Sequence, residues 1–144
     1  MRKTQLLFMV ALSFLALSQA LAQGYFELGG FKTPSGNIYC FAYVDRLTQE
    51  AVLRCDLLQN QARIPARPKD CSLDWGNFFG LSERGRPERL CVGDTVADPR
   101  LPVLAYGKVW SEGGFRCDVT QARLRCINKD KRGFELSRSA QRLF

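Results

Sequence analysis

Six cysteines, together with the complete absence of histidine, constrain this 144-residue chain more than any other feature of its sequence. All six follow residue 22, and their even number is typical of a disulfide framework in an oxidising compartment. No two of them have the close C-x-x-C spacing that zinc knuckles and thiol redox motifs use. We therefore expect three disulfides rather than a metal or redox centre.

The first 22 residues have the parts of a secretory signal peptide. Two basic residues follow the initiating Met, residues 6–17 are almost wholly apolar, and Ala20-Leu21-Ala22 is a small-x-small cleavage site. An apolar run this short falls below the ~20 residues needed to cross a bilayer, so we expect cleavage and no membrane span afterwards. The predicted organisation is a signal peptide over 1–22 and a single secreted β-domain over 23–144. Its predicted location is periplasmic or extracellular.

An internal similarity predicts how the cysteines pair. Residues 36–40 resemble 113–117, and residues 52–55 resemble 123–126, so each pair of segments predicts a hairpin with one cysteine on each arm. Opposed residues of a hairpin have Cβ atoms about 4.5–5.5 Å apart, which is close to disulfide geometry. The two cysteines left over then tie down the irregular middle of the chain. The predicted pairs are Cys40–Cys55, Cys117–Cys126 and Cys71–Cys91.

Short stretches of apolar residues, separated by turns rich in Gly and Pro, predict a fold built from strands. Residues 38–44 and 51–58 form the first hairpin, and 103–110 and 133–137 are further strands, while 60–70 is predicted as a loop because of its prolines. No segment after residue 22 has a convincing helical period. The predicted fold class is all-β: a small, disulfide-stapled antiparallel sandwich or open barrel of about six to eight strands, after a cleaved signal helix.

The absence of histidine excludes a Ser-His-Asp triad, a Cys-His pair and any histidine-ligated metal site. Hydrolysis by two carboxylates stays open, because glycosidases need only two acids about 5–9 Å apart. Nothing in the sequence brings two aspartates together, so we expect no enzyme activity and keep a secreted carboxylate hydrolase as an alternative. The available aspartates are Asp70, Asp74, Asp94, Asp98 and Asp118.

Positive charge is the second guide to function. Removal of residues 1–22 leaves 19 basic and 14 acidic side chains, an excess that attracts anionic partners over a distance. Two runs, 83–89 and 129–132, are the strongest surface candidates, because the guanidinium fork suits phosphate and carboxylate. Acids interrupt both runs, so the sequence does not indicate specific nucleic-acid binding. The candidate anion-binding residues are Arg84, Arg86, Arg89, Lys131 and Arg132.

Together these features favour an exported, non-enzymatic binding module that acts in the cell envelope. We expect a monomer without cofactor or metal ion, whose partner is an anionic envelope polymer or an acidic protein. A small hydrolase inhibitor is a further alternative, because compact disulfide-stapled domains with protruding loops suit that role.

Eight short motifs run along the mature chain: Phe31-Lys-Thr-Pro-Ser-Gly-Asn-Ile-x-Cys40, Leu53-Arg-Cys-Asp56, Cys71-x-Leu-Asp-Trp-Gly76, Cys91-x-Gly-Asp-Thr-Val96, Val103-Leu-x-Tyr-Gly107, Gly114-Phe-x-Cys117, Leu124-x-Cys126 and Gly133-Phe-x-Leu-Ser-Arg138. In combination they resemble an uncharacterised family of small secreted bacterial proteins, over nearly the whole mature chain. The resemblance implies export, paired cysteines and a domain of unknown function, and it supplies no activity. Members often carry Gly-His-Gly-Phe where this chain has Lys131-Arg132-Gly133-Phe134, so any role of that histidine is not carried over to Arg132.

Overall fold

The computed structural model describes residues 24–144, so the predicted signal peptide over 1–22 lies outside the described residues. Ten strands form two antiparallel sheets of five strands each. The first sheet contains β1 (Tyr25–Lys32), β2 (Ile38–Asp45), β3 (Ala51–Leu57), β4 (Asp74–Ser82) and β5 (Glu88–Val92). The second sheet contains β6 (Val109–Glu112), β7 (Phe115–Val119), β8 (Leu124–Ile127), β9 (Gly133–Leu136) and β10 (Gln141–Leu143).

Each sheet is a meander in which every strand pairs with its neighbours along the chain, in the orders β1-β2-β3-β4-β5 and β10-β9-β8-β7-β6. No helix occurs among residues 24–144. The predicted class is confirmed as an all-β, disulfide-stapled antiparallel sandwich, and its two sheets stay open rather than closing into one barrel. The number of strands is ten, above the predicted six to eight.

Two edge strands that the sequence does not predict, β1 and β10, raise the number above that range. A bulge at Gly29, whose φ is 97°, interrupts the alternation of buried and exposed residues in β1, so the sequence of this strand lacks the period that would predict it. β10 has only three residues, too few for a period to show.

The predicted strand 103–110 is mostly irregular, because Val103 makes one isolated bridge and regular pairing begins only at Val109. Gly107, at a φ of 77°, lies in a turn between them.

Two matching rows of side chains face each other across the core. Strand register aligns Phe31, Cys40, Cys55 and Phe79 in the first sheet, and Trp110, Cys117, Cys126 and Phe134 in the second. The rings of Phe31 and Trp110 lie 5.4 Å apart, and those of Phe79 and Phe134 lie 6.1 Å apart. The internal similarity of the sequence therefore corresponds to a repeat in the structure, with one hairpin disulfide at the centre of each row.

Three disulfides hold this core and the loop beside it. The two hairpin disulfides join directly opposed residues whose Cα atoms are 4.1 Å apart. The third has a Cα separation of 5.8 Å and ties the loop before β4 to β5. The pairs are those that the hairpin argument predicts: Cys40–Cys55, Cys117–Cys126 and Cys71–Cys91. Since no cysteine of residues 24–144 is free, the chain is suited to an oxidising, exported environment.

The connection between the two sheets crosses the outer face of the first one. Residues 93–104, which we call the crossing segment, leave β5 at one edge of the sheet and reach β1 at the other. There the amide of Lys32 donates to the carbonyl oxygen of Pro102, and the amide of Leu104 donates to the carbonyl oxygen of Lys32, both at 2.9 Å. Side chains of β3 that alternation directs outward are therefore covered.

Candidate functional site

The two basic runs of the sequence meet at one end of the sandwich. Residues 83–87 connect β4 to β5, and residues 128–132 connect β8 to β9. Asn128 is only 2% exposed, and its side-chain amide donates to the carbonyl oxygens of Ser82 (3.0 Å) and Gly85 (2.8 Å). Its side-chain oxygen accepts from two amides of its own loop, so it shapes one loop while it holds the other. We call residues 83–87 and 128–132 the basic loop pair.

Both carboxylates of the basic loop pair are neutralised by bases of the opposite loop. Arg84 donates to Asp130 at 2.7 Å, and Lys129 donates to Glu83 at 3.0 Å. The amide of Gly85 also donates to Asp130, and this bond, followed by the one from Arg84, lowers the pKa of the Asp130 carboxyl. Exposed ion pairs stabilise little, so the buried amide of Asn128 is the main anchor between the loops.

Three cations of the basic loop pair form no ion pair within residues 24–144, namely Arg86, Lys131 and Arg132, and all three are exposed. Lys131 has a φ of 61°, in the left-handed region that residues other than glycine rarely adopt. Five bases against two acids give the loop pair a net charge of +3. The structure thus brings together four of the five candidate residues: Arg84, Arg86, Lys131 and Arg132.

Arg89, the fifth candidate, lies elsewhere. Its guanidinium is stacked over the ring of Phe79 at 4.7 Å and donates to the carbonyl oxygen of Gly76. Burial lowers the pKa of Arg89. The side chain therefore packs against the first sheet and does not join the exposed cations of the basic loop pair.

A second group of arginines lies on the outer face of the second sheet and is missed by the sequence analysis. Glu135 forms ion pairs with Arg123 (3.5 Å), Arg125 (3.3 Å) and Arg142 (3.1 Å). The ring of Phe144 lies 5.2 Å from the guanidinium of Arg125 and 4.9 Å from that of Arg142. These charged residues alternate with buried ones along their strands, and this alternation is the sequence signal that could have placed them on one face. Because the arginines share Glu135 as their partner, this face is a structural network.

One cavity is lined by three carboxylates, the residue type that the hydrolase alternative requires. Its volume is about 390 Å³, and it lies beside the crossing segment, with Asp56, Asp74 and Asp94 in its wall. Arg54, itself 8% exposed, donates to Asp56 at 2.8 Å and to Asp94 at 2.7 Å. Asp56 also accepts two hydrogen bonds from the crossing segment, one from the hydroxyl of Thr95 at 2.8 Å and one from the amide of Val96 at 2.9 Å. The other predicted aspartates, Asp70, Asp98 and Asp118, do not line this cavity.

Two of these carboxylates, Asp56 and Asp94, fasten the crossing segment to the sheet. The hydrogen bond from Arg54 lowers the pKa of Asp94, whereas a catalytic acid needs a pKa raised towards neutrality. Asp56 is 1% exposed and accepts four hydrogen bonds, one on Oδ1 and three on Oδ2, so its carboxylate is committed to the fold. Arg54 and Asp56 are buried, whereas the side chain of Asp94 is 80% exposed and pairs with Arg54 at the surface.

One group of side chains within residues 24–144 is close enough to hold a metal ion: the sulfur atoms of Cys40, Cys55 and Cys126 lie within 4.8 Å of one another. All three residues are fully buried and belong to disulfides. A metal ligand must be a thiolate, and a disulfide sulfur is not one. The cluster therefore belongs to the core.

Fold and cysteine state together define the class of the protein as a small, disulfide-stapled all-β sandwich adapted to oxidising conditions. The described part of the chain contains no helix of the length and apolarity needed to cross a membrane. Residues 9–144 match a family of unknown function (DUF6636), and the chain belongs to that family. The resemblance to an uncharacterised family is thereby confirmed. No curated protein and no solved structure matches the chain.

Proposed function

We propose that the protein is an exported, non-enzymatic binding module whose basic loop pair binds an anionic polymer of the bacterial cell envelope. One observation carries the proposal. The two loops dock on each other although they are distant in the sequence: Arg84 and Asp130, which form an ion pair between the loops, are 46 residues apart. The docking leaves Arg86, Lys131 and Arg132 exposed and without ion pairs among residues 24–144.

A polymer with closely spaced negative charges gains most from cations that are held together. Each Lys or Arg near an anionic surface contributes about 1 kcal/mol to the attraction. Three such residues correspond to roughly a hundredfold in affinity at low salt. Added salt screens this attraction, so the affinity should fall steeply as ionic strength rises.

The conformation of Lys131 supports a role for its charge. A non-glycine residue in the left-handed region costs of order 1–3 kcal/mol, and glycine would adopt the same φ without that cost. The exposed side chain of Lys131 makes no hydrogen bond or ion pair within residues 24–144 that would offset the cost. A lysine at this position is therefore better explained by the ligand it meets than by the fold.

Export is the second part of the proposal and rests on the three disulfides and the predicted signal peptide over 1–22. The intact mass of protein from its native host, alkylated before any reduction, tests it. We expect a chain that starts at Gln23 or Gly24 and lacks the six hydrogens that three disulfides remove. A chain that starts at Met1, or alkylated thiols, would contradict export.

Heparin, a soluble acidic polysaccharide, is a suitable probe for the binding site. We would measure its affinity for the oxidised protein by calorimetric titration over a range of salt concentrations. The triple variant Arg86→Ala, Lys131→Gly, Arg132→Ala should bind on the order of a hundredfold more weakly at low salt and show a shallower salt dependence.

A matched control separates a local site from overall charge. The triple variant Arg63→Ala, Arg67→Ala, Lys69→Ala removes the same three charges from the exposed loop before β4. It should retain most of the wild-type affinity. Equal losses in the two triple variants would mean that heparin responds only to net charge, and the proposed site would be wrong.

A pair of single substitutions separates binding from stability. Gln49, with a φ of 59°, is the other non-glycine residue of the described chain in the left-handed region, and it lies in the β2–β3 turn. Lys131→Gly should leave thermal stability unchanged or raise it, because glycine relieves the strain. Gln49→Gly relieves the same strain but loses the exposed hydrogen bond from Gln49 Nε2 to the carbonyl oxygen of Arg46 at 2.6 Å, so its two effects should nearly offset each other. Only Lys131→Gly should weaken heparin binding, and equal binding by both variants would remove Lys131 from the site.

A further inference from the structure

A second cavity, of about 330 Å³, lies at the end of the sandwich opposite the basic loop pair. Three turns surround it: residues 33–37 between β1 and β2, 120–123 between β7 and β8, and 137–140 between β9 and β10. The turn 120–123 precedes β8 and the loop 128–132 follows it, so the two places lie at opposite ends of that strand. We call this space the end cavity.

The floor of the end cavity is apolar and consists of residues of the buried core. Ile38, Val119, Leu124 and Leu136 form it, and none of them is more than 4% exposed. Because these strand residues are closely packed in the core, they cannot move to fill the space above them. The cavity is therefore preformed, as small-molecule sites usually are.

Hydroxyl groups of the surrounding turns fix the walls. Thr120 Oγ1 accepts from the amides of Ala122 (3.2 Å) and Arg123 (3.3 Å). Ser137 Oγ accepts from the amide of Ala140 at 3.0 Å. These bonds hold the two turns in place, so the remaining polar groups of the lining are presented from a rigid frame.

Several polar side chains of the lining remain available to a ligand. The Tyr106 phenol, the Gln121 amide and the Arg138 guanidinium make no hydrogen bond within residues 24–144, and Ser139 makes only a 3.5 Å contact with Ser137. Tyr106 is 45% exposed, and Gln121, Arg138 and Ser139 are exposed as well. An apolar floor with a few converging polar groups is the usual composition of a small-molecule site.

The charge of the lining selects an anion. Arg123 and Arg138 both line the end cavity, and no carboxylate does. Asp118 (3.4 Å) and Glu135 (3.5 Å) orient Arg123 from outside the lining. Arg138 forms no ion pair within residues 24–144, so its guanidinium fork is open to a carboxylate or a phosphate.

We propose that the end cavity binds one sugar unit that carries a carboxylate or a phosphate group. Arg138 binds the charged group, Gln121 and Ser139 bond to sugar hydroxyls, and the ring of Tyr106 together with the apolar floor contacts the apolar face of the sugar. Small-molecule sites span about 300–1,000 Å³, and this cavity lies near the lower limit, which suits one unit better than a chain. The site does not depend on the basic loop pair.

Amide chemical shifts of the isotope-labelled, oxidised protein test this proposal. The probes are D-glucuronate, glucose 6-phosphate, neutral glucose and inorganic phosphate. At least one of the two anionic sugars should shift the amides of residues 120–123 and 137–139 saturably, and the stronger of the two distinguishes carboxylate from phosphate recognition. Glucose and inorganic phosphate should each bind at least about tenfold more weakly, because each lacks half of the recognised chemistry.

Arg138→Gln should weaken binding of the better sugar about tenfold or more, the usual effect of losing charge-assisted hydrogen bonds. Arg100→Gln removes the same charge from the exposed part of the crossing segment and should have little effect. The proposal is overturned if neither anionic sugar shifts these amides at about 10 mM, if glucose or phosphate binds equally well, or if the two variants are equivalent. Because the triple variant of the basic loop pair should retain the shifts, failure here is distinct from failure to bind heparin.

Discussion

Replacement of Asp56 by asparagine should show how the crossing segment is held. Asp56 accepts from Nε and Nη2 of Arg54 at 2.8 and 3.1 Å, and from Thr95 and Val96 of the crossing segment. The asparagine side chain would have no charge, and one acceptor oxygen would become an amide donor that faces other donors. Arg54, which is 8% exposed, would then depend on Asp94 alone.

The expected loss follows from the burial of that pair. Breaking a buried ion pair on one side costs about 3–5 kcal/mol, and we take the lower end because Asp94 still neutralises Arg54. With a urea slope of about 1–3 kcal/mol per M, the unfolding midpoint should fall by roughly 1–3 M. Hydrogen exchange of the Val96 amide should also accelerate, since its acceptor is altered.

Asp98→Asn provides the matched control. Asp98 is also paired with an arginine, Arg100 at 2.8 Å, but both groups are exposed to solvent. Its replacement should shift the urea midpoint far less, because solvent screens an exposed pair. Equal shifts for the Asp56 and Asp98 variants would refute the reasoning. So would a stable Asp56→Asn protein whose Val96 amide exchanges at the wild-type rate.

Three further predictions concern the framework of the fold. Replacing Cys117 and Cys126 together by alanine should lower the free energy of unfolding by about 2–4 kcal/mol, measured by urea titration. The lowered pKa of Asp94 means that its ion pair stabilises the fold above the ordinary value of 3.8 and that this contribution disappears as the pH falls through the lowered value. The difference in urea midpoint between wild type and Asp94→Asn should therefore be present at about pH 6 and vanish in strong acid. Gly133→Ala should prevent folding or lower the melting temperature sharply, because its Cβ would overlap the carbonyl oxygen of Cys126, whereas Gly24→Ala meets no nearby atom and should be neutral.

Features set by neighbouring residues could be predicted from the sequence. The cysteine pairs of the two hairpins follow from local alternation and turn position, and the structure has Cys40 opposite Cys55 and Cys117 opposite Cys126. Loop 60–70 also follows from its own prolines. Such features depend on short stretches of chain, so the sequence contains most of the information they need.

Features that depend on contacts between distant parts of the chain could not be predicted. The basic loop pair forms because Asn128 reaches across to the end of β4, and nothing in either run indicates that contact. Arg54 and Asp56 alternate with core residues, which predicts solvent exposure, and only the crossing segment buries them. Charge patterning groups Arg89 with its neighbours in the run 83–89, although a strand directs its side chain onto Phe79.

The end cavity belongs to the same class of features. Its lining comes from four separate parts of the chain, and each part alone reads as an ordinary turn with a hydroxyl residue. Residues 120–123 and 137–140 become neighbours only because β8 and β9 pair side by side. A pattern of Ser, Thr and Arg in turns is common in β-proteins, so it becomes informative only once the fold brings the turns together.

The central claim is that the basic loop pair is where an anionic polymer binds. Amide chemical shifts of the wild-type, oxidised protein during titration with a short heparin oligosaccharide test it most directly. The claim predicts that the largest shifts fall within residues 83–87 and 128–132 and that they diminish as salt is added. Shifts that are spread evenly over the basic residues of both sheets, or that concentrate in the loop before β4, would contradict it.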